Sequence, residues 1–193
     1  MVALQRTNWF MTVEEYLAFE EQSDVRHEYI AGEVHAIAGS SERHQIIAFN
    51  IASALRRAAR ERGCRVILND VKLQVEPDFI YYPDSMLLCD PADDDPYIKE
   101  RPSLVVEVLS PTTATTDRRE KMVKYREIPS LLCYLVVSQD ERKLERHWRA
   151  AVGDPWEFEL LLESLNSRIT IPGLDVELTF DEVYEGVSFD TEA

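Results

Sequence analysis

The chain has 193 residues, 45% of them hydrophobic and 30% charged, with 36 acidic against 21 basic side chains and a net charge of −15. That size and mix describe one soluble globular domain with a substantial core, and no apolar run approaches the roughly 20 residues of a membrane span. The acidity excludes a protein that grips a polyanion by broad phosphate neutralisation; any nucleic-acid contact must be local, metal-mediated or delivered by a partner.

In chain order, Thr12-Val13-Glu14-Glu15 is a capping box that opens a helix running to about Glu21. Residues 26–38 alternate apolar and polar on both sides of Ala31-Gly32, a hairpin signal. Ser40 or Ser41 opens a long helix with Ile46, Ile47, Phe49, Ile51, Ala54 and Leu55 toward the core, and Gly63 closes it. Strands are expected at about 65–68 and 71–75, then a turn through Tyr82-Pro83-Asp84 into an apolar strand at 85–89. Residues 90–99, with four aspartates and two prolines, read as an exposed loop. The run Leu104-Val105-Val106-Glu107-Val108-Leu109, closed by Ser110 and Pro111, reads as a strand buried on both faces in the middle of a sheet. A polar loop leads from it to a helix with Asp117 as N-cap. A buried strand at 131–137, an alternating pair at 143–149 and 156–162, a short strand at 169–170 and a last helix at 180–185 follow. The expected architecture is a single domain over residues 1–186, of mixed α/β (α+β) class, built on one sheet flanked by helices, with 187–193 as a loose tail. Cys64, Cys89 and Cys133 show no paired spacing, so no disulfide framework and no zinc site is expected; Cys89 and Cys133 read as small buried hydrophobes. The N-terminus lacks the layout of a signal peptide, and a cytoplasmic location is expected.

The chemistry concentrates around Glu107. A carboxylate inside a central strand is costly unless a metal, a cation or hydrogen bonds meet it. Asp84 follows Pro83 at the mouth of a neighbouring strand. Two such carboxylates can converge on one hard cation such as Mg2+, or Mn2+, which can polarise a phosphodiester and activate water, with a lysine stabilising the developing charge. The plainer reading makes Asp84 a cap and Glu107 a paired core carboxylate. Asp117, Lys121 and Tyr125 fall at i, i+4 and i+8 and share one helix face.

Pro83-Asp84, then Glu107-Val-Leu-Ser-Pro-Thr-Thr, then Asp117-x-x-x-Lys121-x-x-x-Tyr125 resembles the Uma-type family of putative restriction endonucleases. These are small, mostly bacterial domains with the PD-(D/E)XK nuclease fold, formerly a domain of unknown function. The resemblance runs from the Thr12 capping box to about residue 184 and includes Glu28, the Gly32-Glu33-Val34 hairpin and His44. It implies a restriction-endonuclease-like core and a Mg2+-dependent phosphodiesterase site, with Asp84 and Glu107 as metal ligands and Glu28 as a further acidic residue. The general nuclease motif places a lysine two residues after the glutamate, where this chain has Leu109. Lys121 is the position that matches the family's lysine; the alternative for it is an i,i+4 ion pair with Asp117.

His44, in the first turn of the long helix, either faces the carboxylates or fills space at a helix start, and Tyr125 either hydrogen-bonds the site or packs beneath its helix. Arg56, Arg57, Arg60, Arg62, Arg65, Arg118 and Arg119 offer a basic patch or simply solvated helix faces. Two readings stay open: a metal-dependent endonuclease on nucleic acid, DNA above all, and a non-catalytic homo-oligomeric or partner-binding module with a vestigial site. The apolar content of Trp148, Trp156, Phe158, Leu160, Leu161 and Leu162 points to a homodimer or higher homo-oligomer.

Overall fold

A computed structural model of the chain describes residues 10–60, 62–109, 117–165, 168–171 and 174–189, with the backbone alone at 58 and 117–119. Helix α1 (Val13–Gln22) begins at the expected capping box: the Thr12 hydroxyl accepts the Glu15 amide at 3.2 Å and the Glu15 carboxylate accepts the Thr12 amide at 2.8 Å. The hairpin of β1 (His27–Ile30) and β2 (Glu33–Ala36) turns through Ala31 and Gly32 at φ 51° and 94°. Positive φ at both central residues is what a two-residue hairpin demands. Gly32 has a second reason to lack a side chain, because a Cβ there would meet the Phe10 ring at 2.9 Å.

Helix α2 (Glu42–Arg60) buries Ile47, Ile51, Leu55 and Ala59, one residue per turn along a single stripe. Phe49 was expected in that stripe and is 61% exposed. Two residues past Ile47 on a 100° spiral it points away from the core.

Strands β3 (Arg65–Leu68), β4 (Lys72–Glu76), β5 (Phe79–Tyr81), β6 (Ser85–Leu88), β7 (Ile98–Lys99) and β8 (Leu104–Leu109) come next. After helix α3 (Asp117–Glu127) follow β9 (Cys133–Ser138), β10 (Lys143–Trp148), β11 (Glu157–Leu162), β12 (Arg168–Ile171), β13 (Val176–Thr179) and the short α4 (Phe180–Val183). The one expected sheet is in fact two large sheets and a two-stranded ribbon: β2-β1-β5-β4-β7, β11-β10-β9-β8-β6-β3, and β12-β13. The chain leaves the six-stranded sheet after β3 through Asn69 and Asp70, both at positive φ (49° and 53°), and returns to it through Tyr82-Pro83-Asp84. Strand β8 is central, as its continuous apolar run requires, and pairs parallel with β9 across the α3 crossover. Its Leu104, Val106 and Val108 join the core under α2, whereas Val105 faces a second core that includes Tyr81, Tyr125 and Tyr134.

Two further expectations are corrected. Residues 90–99 are not wholly an exposed loop: Lys99 in β7 is buried, its amine donating to the backbone carbonyls of Asp93 and Asp95, and the Asp93 carboxylate accepts the amides of Glu100 (3.1 Å) and Arg101 (2.8 Å). Cys64 and Cys89 form a disulfide, with Cα atoms 4.3 Å apart. Arg65 pairs with Leu88 across β3 and β6, so the next residues outward face each other; the excursion through β4 and β5 hides this in the linear spacing. Cys133 is buried and unpaired, as expected. Beyond Gly186, Val187 and Phe189 pack on the core under α2, and residues 190–193 of the expected tail lie outside the described residues.

Candidate active site

The two crossings between the sheets set one residue from each layer side by side. Glu28 comes from β1 in the five-stranded sheet, Glu107 from β8 in the six-stranded sheet, and Asp84 from the return crossing between them. Lys121 reaches in from α3, its amine 2.7 Å from Glu28 Oε1 and 3.2 Å from Glu107 Oε1. The Tyr125 hydroxyl, one turn later on the same face, donates to Glu107 Oε1 at 2.7 Å. From the first turn of α2, His44 Nε2 stands 3.3 Å from Asp84 Oδ2, and the amide of Val108 donates to that same oxygen at 2.6 Å. The structure thus gathers Glu28, Asp84, Glu107, Lys121, Tyr125 and His44, from four elements and one crossing. Tyr125 does both things weighed for it, packing under α3 and hydrogen-bonding the carboxylate. Asp117 lies on the same helix, but its side chain is outside the described residues, so the ion pair weighed for Lys121 does too.

Burial and charge act on these groups in known directions. Burial, with the charges of Asp84 and Glu28 behind it, pushes the Glu107 carboxyl up to about 7 against the opposing pull of the Lys121 ammonium. Burial works against the Lys121 ammonium, but Glu107 and Glu28 outweigh it and hold the amine well above its ordinary value. Burial likewise opposes charge on His44, and the hydrogen bond and charge of Asp84 overcome it, so the imidazole is raised. Burial and the Glu107 charge keep Tyr125 a phenol, hence a donor.

The group opens into a cavity of about 1080 Å³, whose lining adds Arg26, Glu33, Asp70, Tyr82 and Glu120. Sequence reasoning missed Glu120, which accepts the Tyr81 hydroxyl at 3.4 Å; its only signal was its place beside Lys121. Among the described residues, the arginines considered for a basic patch do not line this cavity. Arg57 pairs with Glu182, Arg62 with Asp175, and Arg65 donates to the backbone of Asp90 and Asp93. The side chains of Arg118 and Arg119 lie outside the described residues.

Among the described residues no three His, Cys, Asp or Glu side chains form a ready-made metal cage. The donor set nonetheless fits a hard divalent cation of the Mg2+ kind, which is held by one or two carboxylates and keeps several waters. Three nearly buried carboxylates gather here, Lys121 pairing with Glu28 and Glu107 and His44 with Asp84, so negative charge is in surplus, and the contacts of Asp84 and Glu107 described above each fall on one oxygen only. That surplus makes Glu107→Gln a probe of the metal-free protein. A glutamine can keep its carbonyl oxygen toward Tyr125 and Lys121 while shedding the buried charge. Because the carboxyl is raised from 4.5 to about 7 in the fold, charging it opposes folding increasingly as pH rises through that window. The variant in EDTA is expected to match wild type at pH 4 and to melt roughly 6–12 °C higher at pH 8, on the order of 3 kcal/mol. A large loss of stability instead would make Glu107 a structural ion-pair partner.

A mixed sheet flanked by helices, with acidic residues and a lysine converging at the end of its central strand, defines a restriction-endonuclease-like fold. Residues 13–180 match the model of the Uma2 family, described as "Putative restriction endonuclease", and the chain belongs to that family. Two uncharacterized proteins of Synechocystis sp. are similar to it. One is 30% identical over 181 residues, covering 93% of this chain and 94% of the relative; the other is 34% identical over 152 residues, covering 77% and 85%. A solved structure from Anabaena variabilis, described as a putative nuclease belonging to DUF820, has a TM-score of 0.73 at 16% identity, over 90% of this chain and 97% of that one. At that identity the likeness concerns the fold.

Proposed function

We propose that the protein is a Mg2+- or Mn2+-dependent endonuclease that hydrolyses nucleic-acid phosphodiesters, DNA foremost. The observation that carries this reading is Lys121: from a helix, its amine occupies the place between Glu28 and Glu107 that a lysine on the strand would fill, where this chain has Leu109. In this reading Asp84 and Glu107 hold the cation, which when bound polarises the phosphodiester and lowers the pKa of a bound water. Glu28 orients the Lys121 ammonium, and that ammonium stabilises negative charge gathering on the phosphate. The sheets on either side shield these charges from bulk water and so strengthen their effect. The test is incubation of labelled single- and double-stranded DNA and RNA with the full chain in Mg2+, in Mn2+ and in EDTA. Cleavage of DNA in metal and none in EDTA is expected; no cleavage of any substrate under any condition overturns the activity.

The acidity favours a second reading, a non-catalytic module with a vestigial site. The described cavity lining holds six carboxylates against two cationic side chains, Arg26 and Lys121. The nuclease reading answers this with a local, metal-mediated contact or delivery by a partner. We place the protein in the cytoplasm with its substrate. No described helix is long and apolar enough to cross a membrane, while the Cys64–Cys89 disulfide, a bond rare in that compartment, counts against the placement.

We also propose a homodimer. Strand β11 is the edge of the six-stranded sheet and exposes Phe158 (57%) and Leu160 (44%). An edge strand with exposed apolar side chains invites a second copy in antiparallel register. Sedimentation equilibrium at tens of micromolar is expected to give twice the mass of the chain, and Leu160→Lys to give the monomer. A wild-type monomer at that concentration ends the idea.

A further inference from the structure

The two carboxylates assigned to the cation are held in the same manner. One oxygen of Asp84, Oδ2, meets the Val108 amide at 2.6 Å and His44 Nε2 at 3.3 Å; one oxygen of Glu107, Oε1, meets the Tyr125 hydroxyl at 2.7 Å and the Lys121 amine at 3.2 Å. The chemistry proposed above gives Lys121 a task but leaves His44 and Tyr125 without one. We infer that His44 and Tyr125 are positioning residues that clamp Oδ2 of Asp84 and Oε1 of Glu107, and so present Oδ1 and Oε2 to the divalent cation. The inference rests on the nuclease reading of this site.

The terminal torsion of a carboxylate is soft, so an unrestrained Asp or Glu turns its oxygens freely. Two directional donors on one oxygen remove that freedom and leave the other oxygen as the ligand. Both clamps are built to hold one orientation. His44 is 7% exposed, on a helix anchored by Ile47, Ile51 and Leu55, and its own amide donates to the Ser41 hydroxyl at 3.1 Å. Its Nδ1 is buried with no hydrogen-bond partner among the described residues, so Asp84 and the Val108 backbone set the direction of the ring. A buried nitrogen left in that state calls for a function elsewhere on the side chain. Tyr125 is fully buried, its ring edge-on to Tyr81 (5.5 Å between centroids) and to Tyr134 (5.1 Å), which leaves its hydroxyl one direction in which to point. Residues that orient metal ligands in this way change affinity by about 10–100-fold when removed.

The test is calorimetric titration of the full chain with Mn2+, checked by the electron paramagnetic resonance signal of free Mn2+, on wild type, Tyr125→Phe, His44→Ala and His44→Gln. Near-UV circular dichroism in EDTA establishes that each variant is folded. Tyr125→Phe and His44→Ala are expected to weaken Mn2+ binding about 10–100-fold. His44→Gln, whose amide can donate to Asp84 as Nε2 does, is expected to recover most of the loss. Folded Tyr125→Phe and His44→Ala proteins that bind Mn2+ as wild type does overturn the inference and leave both residues as packing groups. Should His44→Ala not fold, Tyr125→Phe, which keeps the volume of the residue it replaces, decides the matter. Wild-type chain that takes up no Mn2+ is a different result: it overturns the nuclease reading itself, and the clamps with it.

Discussion

Lys121→Ala is expected to lower cleavage by about 10³-fold, the loss that follows removal of a group stabilising developing charge in a water-poor site. The same change should leave metal affinity within about tenfold of wild type. It removes one of the two donors on Glu107 Oε1, yet it also removes a positive charge that repels the cation from the same carboxylates. Stability moves in a way that identifies the site. Without metal, Glu28 and Glu107 lose their buried counter-ion, a loss on the order of 3–5 kcal/mol. Millimolar Mg2+ should restore much of it, so the metal-induced rise in melting temperature should be larger in the variant than in wild type. Lys124→Ala is the control: three residues along the same helix, Lys124 pairs with Glu76 and Glu127 away from the carboxylate cluster, and cleavage should change little. Activity lost in Lys124→Ala and retained in Lys121→Ala would mean that the wrong lysine has been assigned.

The second large effect is expected from Asp84→Asn. The amide oxygen can still accept from the Val108 backbone and from His44, so the turn into β6 and the fold survive. The amide nitrogen then faces the cation in place of an oxygen, and it is no ligand for a hard ion. Residues that merely support a ligand contribute about 10–100-fold to metal affinity, so replacing a ligand should cost more than about 100-fold and carry cleavage below detection. A folded Asp84→Asn protein with wild-type metal affinity would remove Asp84 from the site.

Much of this site is legible along the chain, because its parts sit in locally readable frames. The buried run around Glu107 announces a central strand, and the i, i+4 spacing of Lys121 and Tyr125 sets both on one helix face; in the structure both reach Glu107 Oε1. Pro83-Asp84 at the mouth of a strand gave the third element, and the family pattern supplied Glu28 and chose Lys121 over its neighbours. What periodicity cannot carry is the relation between layers. That Glu28 stands against Glu107 depends on the chain leaving one sheet at Asn69-Asp70 and returning at Asp84, a consequence of backbone turns at residues that any surface loop might contain. The Cys64–Cys89 bond is hidden for the same reason, since it follows from the register of β3 on β6 and not from the spacing of the cysteines. The hold of the Val108 amide on Asp84 is a backbone contact between residues 24 positions apart, and no side-chain pattern records it. Phe49 shows the opposite error: an apolar residue counted into a helix stripe by composition, although its angle about the axis turns it to solvent.

The central claim is that Asp84 and Glu107 together bind one divalent cation, and calorimetric titration of the full chain with Mn2+ tests it most directly. The account predicts uptake of one ion at millimolar metal or below by wild type, and none by either Asp84→Asn or Glu107→Gln, each still folded. No uptake by wild type at millimolar Mn2+ or Mg2+, or uptake that persists unchanged in both variants, would contradict it.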